Sequence, residues 1–314
     1  MGSAHNHGGQ GMSDARLFWA VIVNVALTVA QIIGGVLSGS LALIADALHN
    51  LNDAASLGLA LFARRIGRRP ADKLMTFGYG RAELVAALIN LTTLIIVGLY
   101  LLAEAVTRYF DPQPIAGWTV VIVAGFALVI DIVTALLVHA GAKRSLNVKA
   151  AFLHNVSDAL ASVGVIVAGT LIILYQLYIA DLVVTVVIAA YVLHQGLSLM
   201  PKTVRLLMGG VPDDVEYDAI VATLLGTDGV KDLHHVHIWS LDEHKRALEA
   251  HLVPHDGSLQ SFEGVKQRVR EALSAHFAIE HATLEPCLGT GGSHEDERRE
   301  TVRDSPHDTP NGRG

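Results

Sequence analysis

The sequence predicts an α-helical membrane protein with six transmembrane helices, followed by a C-terminal α+β domain. Three observations carry this. Hydrophobic residues make up 51% of the 314 positions and charged residues only 17%, where a soluble globular chain carries about 25% charged. The apolar residues gather in long runs separated by short polar connections. After Met208 those runs stop, and shorter helix and strand periodicities replace them. Mean hydropathy is +0.43, too apolar for a disordered chain. The one cysteine, Cys287, leaves no intrachain disulfide. A net charge of -7 without a basic domain argues against a nucleic-acid partner.

In chain order, residues 1–15 read as a polar cytoplasmic tail holding His5 and His7, weak metal collectors at most. The start lacks a basic n-region, so no cleavable signal is expected. A bilayer span needs about 20 mostly apolar residues. Runs at 17–37, 41–63, 84–106, 118–140, 152–175 and 179–199 meet this and define a transmembrane domain over 16–207. Only Ser38-Gly39-Ser40 joins the first two runs, so they form a tight antiparallel pair. The fifth and sixth join almost as tightly near Gln176. Basic residues mark the cytoplasmic side. Arg64, Arg65, Arg68, Arg69, Lys73 and Arg81 follow the second run, Lys143, Arg144 and Lys149 the fourth, and Lys202 and Arg205 the sixth. The opposite side offers only Arg108, so both termini are expected in the cytoplasm.

Beyond the last run, Gly209-Gly210-Val211-Pro212-Asp213-Asp214 reads as a hinge leading into a helix, with Asp213 or Asp214 as its cap. Residues 215–225 have helical spacing, and 234–241 and 247–253 alternate like strands. Residues 261–276 form an amphipathic helix with Phe262, Val265, Val269, Leu273 and Phe277 on one stripe, and 282–284 start a third strand. The order α-β-β-α-β over 208–288 predicts one sheet with helices on one face. Residues 289–314 are polar and expected to be disordered.

Within the apolar runs, a few residues stand out. An Asp at a helix centre costs about 2.5–3.5 kcal/mol on insertion scales, yet the second run holds Asp46, His49 and Asp53, the fourth Asp131, and the fifth His154 and Asp158. His49 and Asp53 are four apart and share a helix face, as do His154 and Asp158. The two segments are near copies: His49-Asn50-Leu51-Asn52-Asp53-Ala54 and His154-Asn155-Val156-Ser157-Asp158-Ala159. Packed face to face, they bring two imidazoles and two carboxylates together, a tetrahedral set that suits Zn2+ and neighbours such as Co2+. Four ligands close the coordination shell, which favours binding and release over hydrolysis. Because Zn2+ needs neutral imidazole and carboxylate, metal and protons compete for the same atoms. A site loading metal on one side and protons on the other would exchange them without ATP, and no Walker A motif is present. Asp46 is either a third ligand on its helix or, as expected here, a structural hydrogen-bonding group. Asp131 is either an acid linked to proton movement or a structural residue. Asp181 and Glu104 lie near the outer ends of their runs, where placement at the membrane interface is expected.

These residues make the chain resemble the cation diffusion facilitator family, in its bacterial zinc/cobalt/cadmium efflux branch. The matching segments are Gly39-Ser40-Leu41-Ala42-Leu43-Ile44-Ala45-Asp46-Ala47-Leu48-His49, Arg69-Pro70-Ala71-Asp72-Lys73, Thr76-Phe77-Gly78-Tyr79-Gly80-Arg81-Ala82-Glu83, Ser145-Leu146-Asn147-Val148-Lys149-Ala150-Ala151, Gly210-Val211-Pro212-Asp213, His234-His235-Val236-His237-Ile238-Trp239 and Glu280-His281-Ala282-Thr283-Leu284. They are spread over residues 16–288. The resemblance implies six spans, a ferredoxin-like, metallochaperone-like cytoplasmic domain, a homodimer, and metal/proton antiport in a bacterial inner membrane. It assigns the transport site to His49, Asp53, His154 and Asp158. It also implies a further, regulatory Zn2+ in the cytoplasmic domain, with His234 and His251 at ligand positions. Thr283-Leu284-Glu285-Pro286-Cys287 departs from the family's usual ending there, so Glu285, Cys287 or nearby His281 would complete that site. His235, His237, His244 and His255 are expected to be solvated or structural. No organic cofactor is implied.

Two other functional classes fit these residues less well. A membrane metalloenzyme needs an open coordination position and a general base, and no His-Glu-x-x-His occurs. A metal sensor would not account for a ligand pair duplicated inside the bilayer.

Overall fold

The computed structural model describes residues 14–142, 146–242 and 245–287. His5, His7, His244, Lys143, Arg144 and the tail 289–314 lie outside the described residues. Six helices come first: α1 (Asp14–Ser38), α2 (Leu41–Gly67), α3 (Ala82–Phe110), α4 (Gly117–Ala142), α5 (Leu146–Tyr175) and α6 (Ile179–Leu207). Then follow α7 (Tyr217–Leu225), β1 (Val230–Ser240), β2 (Arg246–Pro254), α8 (Leu259–Phe277) and β3 (Ile279–Pro286). Among the described residues, α3, α4, α5 and α6 each hold a stretch long and apolar enough to cross a bilayer unaided, and α1 holds a shorter apolar stretch, Val25–Ser38. The described residues divide into two compact units, with the chain passing between them after residues 61, 86 and 200.

The first unit is the helical one. Its core gathers Leu41, Leu43, Leu101, Val120, Val165 and Ile188. Large apolar side chains such as Leu57, Phe126, Leu136 and Val187 face outward instead, as lipid-facing helices require. Helices in lipid approach closely where small residues meet. At Gly117 of α4, an added Cβ would lie 2.9 Å from the Gly169 carbonyl oxygen of α5. This contact seats α5, which carries half of the candidate metal ligands.

The α1–α2 turn is fixed with unusual completeness. Gly39 takes φ +75°, a left-handed conformation that costs glycine least. Ser40 caps α2, its Oγ accepting from Leu43 N at 3.1 Å. Asp181 of α6 then accepts from Ser40 Oγ, from Leu41 N at 2.7 Å and from Ala42 N at 3.1 Å. Asp181 is fully buried, in the first turn of α6, and its partners are what the sequence did not show. The free N–H groups at the start of α2 need acceptors, and a negative charge there also meets the positive end of the helix dipole. Glu104 pairs with Arg108 at 2.9 Å, and Arg108 also donates to the Gly39 carbonyl.

The second unit has a three-stranded sheet in the order β1-β2-β3, with β1 antiparallel and β3 parallel to β2. The parallel pair is joined through α8, the usual crossover. Phe262, Val265, Val269 and Leu273 of α8 are buried, matching the expected stripe, while Phe277 is only partly buried at its end. They share one core with Ile220 and Leu224 of α7 and with Ile238, Leu248 and Leu284 of the sheet. Ser258 caps α8, accepting from Gln260 N and Ser261 N. The expected cap of α7 is corrected. Glu216 occupies the cap position without a side-chain bond. Asp213 pairs instead with Lys202 and Arg205, and Asp214 with Arg246; nearby cations hold these carboxylates.

Residues 68–81 belong to this second unit. Asp72 accepts from Tyr79 Oη at 2.7 Å, Leu74 N at 2.8 Å and Met75 N at 2.9 Å. These bonds, the tyrosine's first, hold its carboxyl below the ordinary range. Phe77 meets His281 edge to face at 5.8 Å, and Arg81 donates to the Ser240 carbonyl at 3.1 Å.

Candidate metal centre

Two helices build the candidate centre. His49 and Asp53 project from one face of α2, and His154 and Asp158 from one face of α5. The crossing of α2 and α5 brings the pairs together: one ligand atom from each residue lies within 4.8 Å of all the others. The closest approach is His154 Nε2 to Asp53 Oδ2 at 3.2 Å. His49 Nε2 stands 3.5 Å from Asp158 Oδ1 and 3.6 Å from Asp53 Oδ2. His154 Nε2 stands 3.5 Å from Asp158 Oδ2. Metal–ligand bonds of about 2.0–2.1 Å arranged as a tetrahedron put neighbouring ligand atoms about 3.3–3.4 Å apart. The four contacts straddle that value, although they draw on both oxygens of Asp158, and the full set spreads to 4.8 Å, so the side chains must close inward to hold a zinc-sized ion.

The hydrogen-bond inventory points the same way. His49 Nδ1 and Nε2, Asp53 Oδ2 and Asp158 Oδ1 are buried, and none has a well-aligned hydrogen-bond partner, although the imidazole and carboxylate atoms of the set crowd one another. Leaving a buried polar atom unmatched costs about 1–3 kcal/mol, and more when it is charged. A divalent cation at the centre would satisfy Nε2 of His49 and both carboxylate oxygens at once. His49 Nδ1 would remain unmatched.

Exposure is uneven in a directional way. The His49 and Asp158 side chains are 4% and 8% exposed, whereas Asp53 and His154 are 33% and 39% exposed. On α2, Asp53 lies one turn further from Ser40 than His49. On α5, His154 lies one turn closer to Leu146 than Asp158. The open side therefore faces the α2 C-terminus and the α5 N-terminus, and the other side is shut.

Polar groups lie behind the shut side. Asp46 is buried, and Gln31 of α1 donates to its Oδ2 at 2.6 Å. Asn50 donates in turn to Gln31 Oε1 at 3.1 Å. Ser162 donates to Asp131 Oδ2 at 3.2 Å. Tyr191 of α6 packs edge-on to the His49 ring at 6.0 Å. Asp46 thus makes the structural hydrogen bond expected of it, and Asp131 has one too. Gln31, Asn50, Ser162 and Tyr191 were not singled out from sequence. Gln31 left a trace, as a polar residue inside an apolar run, but its partner was not visible there.

The sheet residues are arranged differently. His234, His251 and Glu285 occupy one register row across β1, β2 and β3. The His234 and His251 rings are 5.3 Å apart, and His251 Nε2 lies 3.7 Å from Glu285 Oε2. His235 stacks on His251 at 4.7 Å and meets His237 at 4.5 Å. Cys287 donates its backbone N–H to the Leu252 carbonyl, beside this row. His281 pairs in register with Ala247, four residues along β3 from Glu285, and packs on Phe77. Among the described residues, only His49, Asp53, His154 and Asp158 form a group of three or more His, Cys, Asp or Glu with mutually close ligand atoms.

Residues 17–208 match the family profile described as the cation efflux transmembrane domain, and residues 212–287 the one described as the cation efflux protein cytoplasmic domain. The chain is 37% identical over 287 residues to the zinc transporter ZitB of Pectobacterium atrosepticum, covering 90% of this chain and 88% of that one. It is 37% identical over 292 residues to the metal cation efflux system protein CzcD of Cupriavidus metallidurans, covering 91% and 92%. It is 34% identical over 284 residues to the cadmium, cobalt and zinc/H(+)-K(+) antiporter of Bacillus subtilis, covering 90% and 91%.

Proposed function

This chain belongs to the cation efflux family, and from that premise we propose that it moves Zn2+, with Cd2+ and Co2+ as alternative cargo, out of the cytoplasm in exchange for protons. The observation that carries the reading is the set of four ligand atoms at His49, Asp53, His154 and Asp158, mutually within 4.8 Å and partly without hydrogen-bond partners. Two imidazoles disfavour Mg2+ and Ca2+, which take oxygen ligands. They suit zinc, and cobalt and cadmium share the preference.

The exchange follows from the ligands' own chemistry. On the cytoplasmic side the cation displaces the protons the imidazoles hold, because metal and protons compete for the same nitrogens. Opened to a more acidic exterior, the same atoms take protons and the cation leaves. The exposure gradient supports an inward-open state for this conformation, because its accessible residues lie toward the predicted cytoplasmic ends of α2 and α5. Both termini are then cytoplasmic, and a bacterial inner membrane is the setting. In this reading residues 16–207 form the membrane domain and 208–288 the cytoplasmic domain. The cytoplasmic domain joins two copies into a homodimer, and Zn2+ held near His234 and His251 draws them together and favours one membrane state.

The test is zinc flux into proteoliposomes under an imposed pH gradient, comparing the native chain with Asp158→Ala. Gradient-driven flux that disappears in the variant supports the reading. Flux indifferent to Asp158 removes it. Truncation after Met208 tests the regulatory part: if the zinc-dependence of the transport rate is unchanged, the cytoplasmic domain does not regulate.

A further inference from the structure

A metal-binding histidine uses one ring nitrogen for the metal and normally gives the other N–H to a carboxylate, a carbonyl or water. That bond fixes the tautomer and aims the ring. In this structure His49 offers Nε2 to the centre, where it faces both Asp53 and Asp158. Its Nδ1 is buried without a hydrogen-bond partner. One turn earlier on α2, Asp46 is also buried, and its Oδ1 is without a partner.

The two orphan atoms are complementary. One can donate and the other can only accept while the carboxyl is ionised. Residues three apart on a helix are neighbours, and a helical side chain leans back over the turn before it. The His49 ring therefore lies on the side of α2 where Asp46 sits. Asp46 is also held for such a role. Gln31 occupies its Oδ2 at 2.6 Å and is itself steadied by Asn50, which leaves Oδ1 as the free oxygen. A fully buried glutamine on α1, a helix without a metal ligand, otherwise has no evident purpose beside the centre.

We propose that Asp46 is the positioning residue of His49: its Oδ1 accepts the His49 Nδ1–H, directly or through one water, when the metal is bound at Nε2. Gln31 and Asn50 set the carboxylate for that bond. This deepens the transport reading and rests on His49 being a ligand.

The experiment measures zinc affinity of the full chain in nanodiscs by competition with a fluorescent chelator. It is paired with 15N NMR of histidine-labelled protein, with His49 signals assigned by their loss in His49→Ala. In the zinc-loaded native chain, His49 should carry its proton on Nδ1 with the downfield shift of a strong hydrogen bond. Asp46→Ala should weaken zinc binding about 10- to 100-fold, the usual effect of losing such a partner, and should move that proton signal upfield. Asp46→Asn keeps the size and one acceptor oxygen, so it guards against misfolding. It should move the signal in the same direction by less. Weaker zinc binding with an unmoved His49 signal would make Asp46 a packing residue and overturn the proposal, as would unchanged affinity in Asp46→Ala. If His49→Ala itself leaves zinc affinity intact, the four-ligand reading fails, and this inference falls with it by a separate and visible route.

Discussion

The centre between α2 and α5 and the histidine row on the sheet use the same residue types and differ in almost everything else. In the membrane unit two His and two Asp converge on one point and are shut on one side, and several of their atoms lack partners. On the sheet, one row steps from buried His234 through partly buried His251 to Glu285, whose side chain is 70% exposed. The lesson concerns solvent. A carboxylate in a bilayer is expensive, so its presence there demands an explanation. At the solvent-facing end of the row a glutamate costs little, so the presence of Glu285 there implies little.

The largest effect should come from breaking the membrane centre. Asp158→Ala removes a ligand outright, so zinc affinity should fall beyond the roughly 100-fold upper end for losing an outer partner. Chelator competition and proteoliposome flux should both register it. His251→Ala, measured the same way, should leave flux running. If the two variants cost the same, the contrast between the regions is wrong.

Acidification comes next. Histidine titrates ordinarily near 6.5, and bound protons exclude the metal. Zinc binding should therefore weaken as the solution is acidified. With two imidazoles in the set, affinity should fall about 10- to 100-fold per pH unit once the solution is more acidic than the ligands' titration. Isotherms between pH 5.5 and 7.5 check this. The dependence should survive His251→Ala and disappear with both His49 and His154 replaced. Persistence in that double variant would move the proton-linked site elsewhere.

How far the sequence reveals each region follows from the same physics. The repeated four-residue spacing of His49/Asp53 and His154/Asp158 is legible because polar residues stand out in apolar runs, and the structure brings those four together. All six helices and the α-β-β-α-β order were legible through hydrophobic period, although β1 begins at Val230 rather than at 234. Pairing across distance was not legible. Asp181 lies near a helix end by count, and nothing local says that it binds Ser40, 141 positions away. Asp213 and Asp214 look like helix caps until Lys202, Arg205 and Arg246 are placed beside them. Gln31 is visible as an oddity, but its bond to Asp46 needs the turn at Gly39 to fold α1 back along α2.

The Asp181 bonds give a third prediction, on whether the membrane centre depends on how α2 is held at its far end. Asp181→Ala leaves Ser40 Oγ and two backbone N–H groups without their acceptor. Such a loss should cost about 1–3 kcal/mol of stability, read as an earlier unfolding transition of the detergent-solubilised protein. Zinc affinity should change far less than in Asp158→Ala, since Asp181 touches no ligand. A collapse in affinity at unchanged stability would mean that the outer end of α2 sets the ligand geometry directly.

The smallest effect belongs to the sheet. His251 Nε2 and Glu285 Oε2 are 3.7 Å apart, beyond hydrogen-bonding distance, and the glutamate is mostly in water. Exposed pairs of this kind contribute about 0–1 kcal/mol. Glu285→Ala should therefore leave metal-free stability within about 1 kcal/mol of native and leave zinc flux intact. Added zinc provides the sharper comparison. An ion that binds the folded chain raises its stability, and by more the further its concentration exceeds its Kd. With the membrane centre disabled by Asp158→Ala, any zinc-dependent rise in unfolding temperature that remains must come from another site. If Glu285→Ala removes that remainder, the row binds metal despite its open spacing, closing its ligands around the ion instead of presenting them preassembled. If no remainder exists, preassembly inside the bilayer is what separates a metal site from a row of histidines.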